Sequence, residues 1–103
     1  MWSNENNKIM KKQEIVELIK GEFNPSEAIE IISIIIENKI RFNNQLIFSK
    51  EERNEGDTTY LKDRIKELER SKARVINLIR EIKDSSTMVK VHSEIHIDLI
   101  QQE

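Results

Sequence analysis

The sequence contains no cysteine, one proline, two glycines and five aromatic residues among its 103 positions. Without thiols, disulfides, thiolate nucleophiles and cysteine metal sites are excluded, and a reducing cytoplasm is the expected compartment. The scarcity of glycine and proline leaves few places for tight turns and favours long regular elements. No apolar run approaches the roughly 18 residues that span a bilayer, and residues 1–7 lack the apolar core of a signal sequence, so no membrane partner is expected. An excess of charge of one sign is also missing: 17 Lys and Arg face 19 Asp and Glu, for a net charge of -2. Strong basic character, the footprint of a nucleic-acid or anionic-membrane binder, is absent from every segment. Nor is there a nucleophile motif, a Gly-rich phosphate loop or a recognisable acid–base pair, so no enzymatic activity, cofactor or small-molecule substrate is expected.

What the chain does contain is charge, at 35% of residues, and eighteen isoleucines. The longest element they predict is a helix over about 24–55. Its start is written in Asn24-Pro25-Ser26-Glu27: a capping side chain, a proline where the missing N–H is harmless, and a glutamate placed to bond back to the cap. Phe23 and Ala28 flank this start as a hydrophobic staple. Apolar residues from Ala28 to Ile47 cover an arc of roughly 240°, far more than the ~100° stripe of a helix on one core. Such a helix needs neighbours on two sides, and Ile31, Ile34, Ile35 and Phe42 are the residues assigned to self-association.

The remaining elements follow from spacing. A short helix is predicted over about 8–20, with Ile9, Ile15, Val16, Leu18 and Ile19 as its apolar stripe and Gly21 as its left-handed C-cap. Residues 1–7, including Trp2, read as a disordered leader. After a charged turn around Gly56, where Glu51, Glu52 and Glu55 read as solvated and Phe48 and Tyr60 as a closing contact, a helix over about 58–84 carries a heptad seam. That seam is Leu61, Ile65, Leu68, Lys72, Val75, Ile79 and Ile82. Asp57 or Thr58 is its predicted cap. The short connection implies a long antiparallel helical hairpin, coiled-coil-like, within a mainly α single domain over 8–103. A turn centred near Gly56 sets Lys72 beside Lys39 and Ile40, with Asn43 and a carboxylate such as Glu69 expected to receive an ammonium.

From about 87 to 100 the period changes to two. Val89, Val91, Ser93, Ile95, Ile97 and Leu99 point one way, and Lys90, His92, Glu94, His96 and Asp98 the other. With no second convincing strand in the chain, this lone β-strand is expected to pair with its copy across a homodimer, using Val89, Val91, Ile95 and Ile97, or to add to another protein's sheet. Its polar face, His92, Glu94, His96 and Asp98, is the best metal candidate. Same-face neighbours lie nearly 7 Å apart, so His92 with Glu94 or Glu94 with His96 could just share an ion, but the two histidines are too far apart and a closed site needs four ligands, so no metal is expected.

One further feature is a row of Lys62, Lys66, Arg70 and Arg74 on one face of the 58–84 helix, a possible phosphate track. Asp63, Glu67 and Glu81 dilute it, and mixed i, i+3 and i, i+4 charges are ordinary on an exposed helix. The sequence therefore predicts a non-enzymatic protein–protein interaction or assembly module that acts as a homodimer with an unidentified protein partner. A small nucleic-acid-binding regulator is the alternative.

Overall fold

A computed structural model describes residues 9–101, with side chains from 12 onward. Residues 1–7 and the Trp2 within them lie outside the described residues. The element order is strand β1 (Ile9–Phe23), helix α1 (Pro25–Glu52), helix α2 (Thr59–Arg80) and strand β2 (Val89–Ile100). These form two units, a two-stranded antiparallel sheet of β1 and β2 and a pair of helices within Phe23–Val89.

The helix expected over 8–20 is not formed: residues 9–20 belong to the fifteen-residue strand β1, and among the described residues there is no third helix. Consequently β2 does not wait for a second copy, because β1 of the same chain is its partner. The fold is thus two helices plus a two-stranded sheet rather than a mainly α hairpin with one unpaired strand. The physical reason is backbone satisfaction. A thirteen-residue helix is marginal on its own, whereas the same residues in extended form supply the hydrogen-bonding edge that β2 lacks. Exposure along β1 records the change of period: Ile19, Gly21 and Phe23 are half-buried while Lys20 and Glu22 between them are exposed. Gly21 therefore caps no helix. The left-handed positions are instead Gly56 (φ 84°) and Asn54 (φ 53°), both in the connection between α1 and α2.

The helix start at Asn24 forms as its sequence dictates. Asn24 Oδ1 accepts from the Glu27 N–H (2.8 Å) and Glu27 Oε1 accepts from the Asn24 N–H (3.1 Å), a complete capping box. A cap of this kind contributes about 1 kcal/mol. Ala28, one turn in, is fully buried. Both helices end short of their predicted limits, α1 at Glu52 rather than 55 and α2 at Arg80 rather than 84; β2 begins at Val89 rather than 87.

Contacts between Glu51 and Thr58 and between Glu37 and Lys72 show that α1 and α2 pack antiparallel. They also place the register three residues earlier than a turn centred on Gly56 implies. The seven positions of the 58–84 heptad are all buried or half-buried. The apolar core is nonetheless small: among the described side chains only Ala28, Ile47, Leu61 and Ile79 are buried, together with polar Asn43 and Thr58. Ile79, 5% exposed, sits beside Leu78, 65% exposed. Ile79→Ala is expected to destabilise the protein by about 2–4 kcal/mol through lost burial and a cavity. Leu78→Ala is expected to change stability by less than ~0.5 kcal/mol. Chemical denaturation of the two variants checks the contrast.

Candidate functional site

Four groups of side chains carry the chemistry that this chain presents. The first surrounds the α1–α2 connection. Asp57 Oδ1 accepts from both the backbone N–H (3.0 Å) and the hydroxyl (2.7 Å) of Thr59, so Asp57 does the work of a cap although Thr58 occupies the cap position. Thr58 instead donates its hydroxyl to Glu51 Oε2 (2.9 Å), the same oxygen that Lys62 Nζ meets at 2.9 Å. Arg53 donates to Ser49 Oγ (2.6 Å) and to Glu55 Oε1 (2.9 Å). Glu51 and Glu55 are therefore engaged rather than merely solvated. Phe48 and Tyr60 both stay more than 60% exposed and do not close the connection.

These contacts shift the acids in one direction. The hydrogen bond from Lys62, followed by that from Thr58, holds Glu51 below its ordinary value of 4.5. The Arg53 guanidinium does the same for Glu55, and the Thr59 donors for Asp57.

The second group is the polar layer between the helices. The Lys72 ammonium donates to Glu37 Oε2 rather than to the expected Asn43 and Glu69; the register shift brings Glu37 opposite it. Asn43 is 3% exposed, level with the seam of α2. Lys39 lies over the Phe42 ring, 5.2 Å from its centroid, a cation–π contact outside the seam.

The third group lies on the sheet. His92 Nε2 stands 3.3 Å from Glu17 Oε2 and 3.3 Å from Glu94 Oε2, and His96 Nε2 lies 2.9 Å from Glu94 Oε1. Lys20 Nζ approaches Glu17 Oε2 at 3.7 Å. Of these, His92, Glu94 and His96 were visible as one face of β2. Glu17 was not, because a residue read as helical has no reason to meet a strand more than seventy positions away. The only sequence signal for it is the adjacent β-branched pair Ile15-Val16, which helix and strand share.

Comparison with protein-family models, curated proteins and solved structures finds no match to this chain.

The fourth group comprises the surface residues singled out in the sequence. Lys62, Lys66, Arg70 and Arg74 are all exposed along α2, but Lys62 is paired with Glu51 and Arg74 donates to Ser71 Oγ (3.3 Å). Ile31 and Ile35 are half-buried, while Ile34 and Phe42 are 51% and 52% exposed. On β2, Val89 and Val91 are half-buried and Ile95 and Ile97 remain exposed. No helix among the described residues is long and apolar enough to cross a membrane.

The depressed acids give a signed pH dependence. A carboxylate whose folded-state pKa is lowered contributes stability above its unfolded value, and loses it as pH falls through the lower folded value. Glu51→Gln should therefore melt below the wild type at pH 7. The difference should shrink as pH falls below the ordinary value of 4.5 and vanish once the wild-type carboxylate is protonated too. Thermal unfolding of both proteins across that range is the check.

Proposed function

We propose that this protein is a non-enzymatic interaction module that assembles through its helices, first with a second copy of itself and through that dimer with another protein. The helices would act as a coiled-coil hairpin whose outer apolar surface is completed by the second copy. The observation that carries this reading is the imbalance between core and surface. Among the described side chains four apolar residues are buried, while Ile34, Phe42, Phe48, Tyr60 and Leu78 on the helices are each more than half exposed. One exposed apolar residue is ordinary; several on one small helical unit are the mark of an unfinished interface. Chains of this size commonly gain the missing burial by oligomerising. The charge pattern supports the same reading, since nearly balanced charge does not oppose self-association.

Light scattering or sedimentation of the full chain tests this. A dimer is expected at micromolar concentration, and Ile34→Glu or Phe42→Glu should convert it to a monomer that keeps its helical circular dichroism. A wild-type chain that stays monomeric across that range would sink the proposal.

Nucleic acid ranks second as a partner, because Lys66 and Arg70 keep the basic row partly available. Binding to mixed duplex DNA or RNA that weakens with salt and is lost in the Lys66→Glu, Arg70→Glu double variant would promote it. Absence of binding at low salt would dismiss it.

A further inference from the structure

We propose that Glu17, His92 and Glu94 form a binding site for a divalent transition-metal ion, with Zn²⁺ the best fit. The site joins the two strands: Glu17 comes from β1, and His92 and Glu94 come from β2. Among the described residues it is the one group of three His, Asp or Glu side chains whose ligand atoms converge, all within 4.8 Å of one another.

The spacing of those atoms favours an ion over a network of hydrogen bonds. Both carboxylates approach the same ring nitrogen, His92 Nε2, at 3.3 Å. One nitrogen carries at most one hydrogen, which could serve both only as a weak three-centre bond, and neither contact has the about 2.7–2.9 Å length of a charge-assisted hydrogen bond. Ligand atoms bonded to tetrahedral zinc at about 2.0–2.1 Å stand about 3.3 Å from each other. Two edges of that tetrahedron are therefore already in place. The third, between the carboxylates, closes by rotation of two exposed side chains.

The donor set selects the metal. One imidazole and two carboxylates suit zinc and its neighbours, whereas Mg²⁺ and Ca²⁺ take more numerous, all-oxygen ligands. Two carboxylates also neutralise a divalent charge. His96 serves as a positioning residue, since its Nε2 contacts the other oxygen of Glu94 at 2.9 Å and fixes that carboxylate's orientation. Lys20 competes for Glu17 at 3.7 Å and has to be displaced. Three protein ligands leave a fourth position for water or for a group from a bound partner.

The consequence is structural as well as chemical. A two-stranded sheet is marginal alone, and an ion bonded to both of its strands favours the paired state by mass action.

Calorimetric titration of the full chain with ZnCl₂, together with Co²⁺ absorption, tests the site. One ion per chain is expected, with the visible bands of tetrahedral Co²⁺. Glu17→Gln and His92→Ala should each weaken binding by well over about tenfold, and His96→Ala by roughly tenfold, the scale typical of an outer partner. Asp98→Asn, on the same face but outside the cluster, should bind as the wild type does. Circular dichroism confirms that each variant keeps its helices; should a variant lose them, the wild-type Co²⁺ spectrum decides, and an octahedral spectrum overturns the proposal. Binding unchanged in both Glu17→Gln and His92→Ala, no binding at millimolar Zn²⁺, or equal affinity for Ca²⁺ would also overturn it.

Discussion

Every N–H and C=O of an extended segment needs a partner, and a strand as long as β2 cannot hold its form without a ladder beside it. The strand β1 provides that ladder, and doing so removes residues 9–23 from the helical alternatives open to them. The pairing also brings together charges that are remote in sequence. Glu17 meets His92 only because the two strands are neighbours. A hydrogen-bonding requirement of the backbone thus decides which side chains can share a site.

The helices between the strands are governed differently. Their start is local, set by the reciprocal bonds of Asn24 and Glu27. Their turn relies on two left-handed residues, Asn54 and Gly56, and on polar contacts centred on Glu51. Between them the seam is only partly apolar: Asn43 is buried and Lys72 finds Glu37 across the interface. Polar groups in such a seam cost stability relative to leucine but penalise slipped registers, in which they would lose their partners.

That economy of core links structure to the proposed role. Much of the isoleucine-rich surface of α1 is only half covered, and Phe42 and Ile34 remain open. The polar side chains that might have suggested chemistry are mostly absorbed in local structure. Lys62 holds Glu51, Arg53 holds Glu55, and Asp84 accepts from the backbone and hydroxyl of Ser86. The cluster on the sheet is different, because two carboxylates from separate strands converge on one ring nitrogen at 3.3 Å each.

By itself the sequence determined the features whose causes are local. The capping box, the long helix that follows, the heptad of α2 and the period-two pattern of β2 all rest on neighbours within a few residues, and each occurs close to its predicted limits. Only the tertiary structure decided the conformation of residues 9–23. Their apolar spacing, with Ile15, Val16, Leu18 and Ile19 in close succession, satisfies helix and strand alike, so the deciding term was the distant edge of β2. The same holds for the partner of Lys72, where a three-residue change of register placed Glu37 opposite it in place of Ile40, and for Glu17, whose meeting with His92 has no local trace. Short-range patterns fix what a segment can become; long-range backbone pairing and register fix which of those forms it takes and which side chains then meet.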